Sequence, residues 1–295
     1  MTDDGDLREG LGEDYPLRIL RTFLNFAANP EIQAYIKDAQ DVLSFDLPDS
    51  ECQAFLIVHN FITYSQLDFI TEWRASPSGE RRYLSLLGAL NGTMREAYAC
   101  VLYHFRRLSD LEAEVMERIS KRNYREALGN GSVGIGNTVI WDFEYQAFVM
   151  AYRRCLDYLT RGLATFFKHE FHSFRDLPKK MENLKPQNVA TALVGVHARH
   201  SRNFSFVITA GNTKSVRDQI AHYHPVSVGT INLSRHGFIL FGGAEDLSAS
   251  NEHNHDKARL TEALVQRVRM LKDCIDEMLT VFVNEARAWD ATRVP

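Results

Sequence analysis

No apolar run in this 295-residue chain approaches the roughly 18 to 20 residues that a bilayer-spanning helix needs. The opening MTDDGD is acidic and lacks the basic-then-apolar order of a secretory leader. The expectation is a cytoplasmic chain with no targeting segment and no membrane partner. Cysteine is scarce and scattered. Cys52, Cys100, Cys155 and Cys274 stand far apart in apolar, helix-like surroundings, with no CxxC pair, so reduced core thiols are expected rather than a disulfide framework or a zinc knuckle. An excess of positive charge is also missing. A formal net charge of −4 and a pI near 6.3 exclude a polycation that coats nucleic acid with its whole surface, although a local basic patch stays open. What is present is ordinary globular chemistry. With 45% hydrophobic and 24% charged residues the chain can bury a core and has room for two domains.

Most of the chain repeats its apolar residues at three and four, the period of an amphipathic helix. Residues 16–45 predict two helices broken at Asn29-Pro30, with proline at a first helical position. Helices over 53–73 and 84–128 follow, the second either continuous or broken at Asn91-Gly92. Residues 129–137 are the sharpest composition break and predict a Gly-rich connecting loop. Beyond it, 138–168 is strongly amphipathic through Ile140, Phe143, Ala147, Met150, Leu156, Leu159 and Leu163. Further helices are expected over 187–206, 215–223 and 256–289, with Pro225 closing the second of these. Residues 226–241 are the one convincing β-rich stretch, a small hairpin. The expected architecture is therefore mostly all-α: a helical N-terminal region (1–128), the loop (129–137), and a helical domain (138–295) carrying the hairpin.

Several patterns carry little chemistry. Gly129, Gly131 and Gly134 spell GxGxxG, but a charged helix rather than a strand is predicted before them, against a dinucleotide site. His169-Glu170-Phe171-His172 is one residue short of HExxH and loses the i, i+4 zinc geometry. The His197/His200 and His253/His255 pairs have no evident third ligand. No cofactor and no metal are expected.

The sharpest candidate is Ser215-Val216-Arg217-Asp218-Gln219-Ile220-Ala221-His222-Tyr223-His224. Arg217 and His222 lie about 140° apart around a helix, yet both can address one cleft because the guanidinium is long and the helix short. Asp218 and His222, at i and i+4, share a face. The same residues admit a purely structural reading: Ser215-x-x-Asp218 is also a capping-box pattern, and a histidine on a short helix is often simply solvated.

Arginine, a polar residue, and histidine four to six positions after the arginine form the signature that this passage resembles: that of the HEPN superfamily (higher eukaryotes and prokaryotes nucleotide-binding). The acidic-aromatic helix Trp141-Asp142-Phe143-Glu144-Tyr145 and onward to Leu159 is similar to the opening helix of many such domains. The resemblance covers residues 138–289, about half the chain, and implies an HEPN-like helical bundle there. It further implies a metal-independent ribonuclease acting on RNA through a composite site in a homodimer, in a toxin or antiviral defence setting, and leaving 2′,3′-cyclic phosphate ends. Carried over, Arg217 would stabilise charge on the scissile phosphate, His222 would move protons, and Asp218 would orient a histidine. Glu144, Asp157, Tyr223 and His224 are supporting candidates. The alternative implied by the same family is a catalytically silent module holding a nucleotide or a regulatory protein partner.

Overall fold

In the computed structural model, residues 29–122, 124–208, 214–223, 225–228, 230–234, 237–241 and 260–293 are described. The protein is predominantly α-helical, and among the described residues no helix is long and apolar enough to cross a membrane. The chain divides into two compact units, residues 1–46 and 47–295. The smaller contributes α1 (Pro30–Leu43), which starts where Asn29-Pro30 predicts: Asn29 Oδ1 accepts from Glu31 N–H at 2.9 Å, and proline occupies the first turn. The expected helix preceding Asn29 lies outside the described residues.

The larger unit begins with α2 (Asp49–Tyr64), α3 (Asp68–Arg74) and α4 (Pro77–Leu87). Residues 84–128, read as one or two helices, instead run from α4 through a π-helical turn, Gly88–Thr93, into α5 (Met94–Ser120), followed by the short α6 (Tyr124–Leu128). The Asn91-Gly92 weak point therefore widens the helix without breaking it, as Met94 N–H reaches back to Ala89 O. The turn pushes Leu90 onto α7 (Val139–Phe166) where Gly162 has no side chain: a Cβ there would lie 2.4 Å from Leu90 Cδ2.

After α7 come a 3₁₀ turn (Phe174–Asp176), α8 (Leu177–Met181), α9 (Gln187–His200), a second 3₁₀ turn (Ser201–Phe204), α10 (Val216–His222) and the long α11 (Leu260–Ala291). Helix α5 packs along α7, and α2, α5 and α9 pack along α11. Burying both long helices on several sides explains their apolar stripes: Leu264, Leu271, Ile275, Met278 and Phe282 of α11 are fully or almost fully buried.

The predicted hairpin is present as β2 (Thr230–Ser234) and β3 (Gly237–Phe241), paired antiparallel with Asn232 opposite Ile239. The connecting loop expected at 129–137 is a correction. Ser132–Ile135 form a strand, β1, antiparallel to β2 with Val133 opposite Leu233, so the sheet has three strands in the order β1-β2-β3. Gly134 accordingly lies in that strand opposite Asn232 and not at the opening of a helix.

Two buried carboxylates join distant parts of the chain by accepting from backbone N–H groups at the starts of helices, and the first of these helices has no side-chain cap of its own. Asp290, near the end of α11, accepts from the N–H groups of Asp68 and Phe69 at 2.8 and 3.0 Å, satisfying the start of α3. Glu112 of α5 likewise accepts from Thr261 N–H at 2.9 Å at the start of α11. Asp290→Ala leaves two α3 amides without an acceptor, and a fall in stability of roughly 2–3 kcal/mol is expected, read as a lower urea midpoint at unchanged slope.

His197 of α9 is buried against the Phe174 ring, 4.6 Å between centroids, with Nε2 unpartnered. Burial holds its pKa below the ordinary histidine value, opposed by a backbone hydrogen bond to Phe174. A lowered folded-state pKa gives stability that is fully present above the unfolded value, about 6.5, and is lost as pH falls through the folded value. Thermal melts of the wild type should therefore fall in midpoint below about pH 6.5, and His197→Gln, which cannot protonate, should flatten that part of the profile.

Candidate functional site

Helix α10 is nucleated by its own cap. Ser215 Oγ accepts from Asp218 N–H at 3.2 Å and donates to Asp218 Oδ2 at 2.9 Å, while Tyr223 N–H closes the last turn on Gln219 O. Val216 is buried, and Arg217 N–H points to Phe206 O at 3.4 Å. The Arg217 side chain lines a cavity on α7, while Nη1 meets Oδ1 of its own neighbour Asp218 at 2.9 Å and Nε is shielded without a partner. Ser215 thus caps α10 through its Oγ, and the Asp218 carboxylate is shared between the Ser215 hydroxyl and Arg217.

Arg217 lines a cavity of about 610 Å³ built mainly on α7. Arg153, Arg154 and Arg161 also line it, against the single carboxylate of Asp157. Not all of that charge is free to meet a ligand. Arg153 Nε is 2.9 Å from Asp157 Oδ2 and its Nη2 donates to Ser173 Oγ at 3.1 Å, while Asp157 Oδ1 accepts from Phe174 N–H at 3.1 Å. Asp157 and Arg153 therefore lace α7 to the segment that follows it. Arg154 and Arg161, seven residues apart and so on one helical face, are exposed and complete a cationic wall with Arg217.

The other candidates are dispersed. His222 sits at the far end of α10, exposed, edge-on to Tyr223 at 6.4 Å; it does not line the cavity, and no hydrogen bond to its ring is found among the described residues. Tyr223 is exposed, with Lys214 Nζ 3.5 Å from its ring centroid. His224 lies outside the described residues. Asp142, two residues before Glu144 and so on nearly the opposite face of α7, accepts from Val228 N–H at 2.7 Å and holds the chain after α10. Glu144 itself faces α5, with Oε2 2.9 Å from His104 Nδ1 and Oε1 3.7 Å from Arg107 Nε.

The structure thus brings Arg217 and Asp218 together and sets Arg217 opposite Arg154 and Arg161, while His222 and Glu144 point elsewhere. Sequence reasoning missed Cys100 and His104 of α5 and His172, all of which line the same cavity. The i, i+4 spacing of Cys100 and His104, and the i, i+7 spacing of Arg154 and Arg161, were the available signals. Comparison with family models, curated proteins and solved structures finds no match to this chain.

Proposed function

We propose that the protein is a metal-independent endoribonuclease of the HEPN type, acting on RNA as a homodimer. The observation that carries this reading is the placement of Arg217 in a cavity walled by Arg154 and Arg161, which suits a phosphodiester flanked by further backbone phosphates. His222, unencumbered and exposed on the same helix, is available to a phosphate bound by a second copy, where it would take the proton from a 2′-hydroxyl or give one to the leaving oxygen. A surface for that second copy is at hand. Ile140, Phe143 and Met150 of α7 are 60, 63 and 37% exposed, and they share the face that carries Arg154 and Arg161. One stripe of α7 thereby passes from apolar to cationic, which would place two clefts beside a paired apolar patch.

The test is cleavage of single-stranded RNA in excess chelator, with product ends assigned as 2′,3′-cyclic phosphates. Because the guanidinium groups supply the charge stabilisation in this reading, activity is expected to survive chelation; loss with chelator and return with a divalent ion would overturn it. A second reading, a silent module that holds a nucleotide or a regulatory protein partner, is favoured by one fact: His222 does not line the cavity that Arg217 lines. That reading predicts salt-dependent nucleotide binding that Arg154→Ala weakens, with no RNA cleavage at any protein concentration.

A further inference from the structure

Cys100 and His104 lie one turn apart on α5, and helical side chains lean towards the N-terminus, so the imidazole at i+4 reaches back over the thiol at i. Both line the 610 Å³ cavity. Across from them Glu144 of α7 accepts a hydrogen bond from His104 Nδ1 at 2.9 Å, which fixes the ring and leaves Nε2 as the atom that can serve the thiol. Thiol, imidazole and carboxylate thus stand in the order of an activated nucleophile, its base and the group that orients the base.

We propose that Cys100, His104 and Glu144 form a nucleophilic thiol centre whose substrate class is a small anionic disulfide, such as glutathione disulfide, drawn in by the guanidinium groups of the same cavity. The Cys100 thiolate attacks one sulfur of the disulfide. The ligand's S–S bond breaks as a new S–S bond forms to Cys100, and the other half leaves as a thiolate that takes up the proton His104 removed from Cys100. Cys100 is oxidised, the leaving half is reduced, and no other reactant is needed. This step does not depend on RNA cleavage by α10.

The charges around the thiol favour its ionised form. Hydrogen bonding to His104 is the chief influence holding the Cys100 pKa below the ordinary thiol value, against burial, and Arg154 adds to it. The same contact with Cys100, helped by Glu144, raises His104. Arg107 stands behind Glu144 on α5, while His172, Arg161 and Arg217 face the cavity, with Asp157 the one acid among its lining residues. Cys155 lies behind Cys100 within α7, and burial pushes its thiol well up, so it stays protonated. Cys274 is buried and raised in the same way. Cys52, half-buried with Sγ directed at Leu47 O at 3.7 Å, is a built-in control.

The experiment uses the full chain with all four cysteines and follows each cysteine peptide by mass spectrometry. With iodoacetamide, the alkylation profile of Cys100 should have its midpoint below the ordinary thiol value. His104→Gln should move it up towards the ordinary thiol midpoint near 8.5. Iodoacetate, the anionic reagent, should favour Cys100 over Cys52 more than iodoacetamide does, and Arg154→Ala or added salt should erase that preference. Glutathione disulfide should give one adduct, on the Cys100 peptide. A Cys100 profile with its midpoint at the ordinary thiol value, or one that a folded His104→Gln protein leaves in place, would overturn the proposal. So would glutathione disulfide that labels no cysteine; the wild-type reagent comparison reads the cavity charge without any variant.

Discussion

His222→Ala is expected to fold as the wild type does and to cleave RNA about 100- to 10,000-fold more slowly, the usual worth of a positioned proton-transfer group. Folding should be unaffected because the ring is exposed and has no hydrogen-bond partner among the described residues. Arg217→Lys is the companion test. Lysine keeps the charge but loses the planar fork that matches two phosphate oxygens, so cleavage should again fall severely. The fold should tolerate it: the Arg217–Asp218 pair is partly exposed on both sides and is worth less than about 1 kcal/mol. Asp218→Asn should be the mildest, since an amide oxygen can still take the Ser215 hydroxyl and keep α10 capped. Mixing His222→Ala with Arg217→Lys protein should restore part of the activity, because a mixed dimer retains one intact pairing of arginine with histidine across the interface. Wild-type rates in both single variants would remove α10 from the chemistry and leave the silent binding module as the better account.

How much of this was legible in the sequence depends on the range of each interaction. Local signals held. The apolar period marked α7, α9 and α11; Asn29-Pro30 marked the start of α1; Ser215 and Pro225 bracketed α10. The β-branched residues of 226–241 announced β2 and β3. Strand β1 was hidden because Ser132-Val133-Gly134-Ile135 has only two apolar residues and becomes a strand only by pairing with β2, nearly a hundred residues later. The π-turn was hidden because helix and widened helix share one apolar pattern. No local pattern marks Asp290 or Glu112 as a cap, because their amide partners lie 222 and 149 residues away. The cleft shows the same division. Arg217 and its cap were local, but the relation of His104 to Glu144 spans 40 residues and two helices, and no spacing rule reaches that far.

Phe166→Ala should be the most damaging of the packing substitutions, lowering stability by about 3–5 kcal/mol. Phe166 ends α7 at the point where α3 and α11 converge. Its ring meets Phe282 edge-on at 5.1 Å and Phe69 at 5.8 Å, with Trp289 at 5.9 Å and Trp73 at 6.0 Å. Removing it opens a void bounded by three elements that other contacts hold in place, so the walls cannot collapse to refill it. Part of the cost is the lost edge-to-face contact, about 0.5–1.5 kcal/mol for each such pair. Against a total stability of roughly 5–15 kcal/mol for a folded domain, this is enough to bring the chain near its unfolding threshold. Phe143→Ala is the matched control: the same side chain on the same helix, but 63% exposed. It should shift stability by no more than about 0.5 kcal/mol in the monomer, while weakening self-association if the apolar stripe of α7 joins two copies. Urea unfolding of the two variants side by side separates the cases, and a loss under about 1 kcal/mol for Phe166→Ala would mean that α3, α7 and α11 do not share this core.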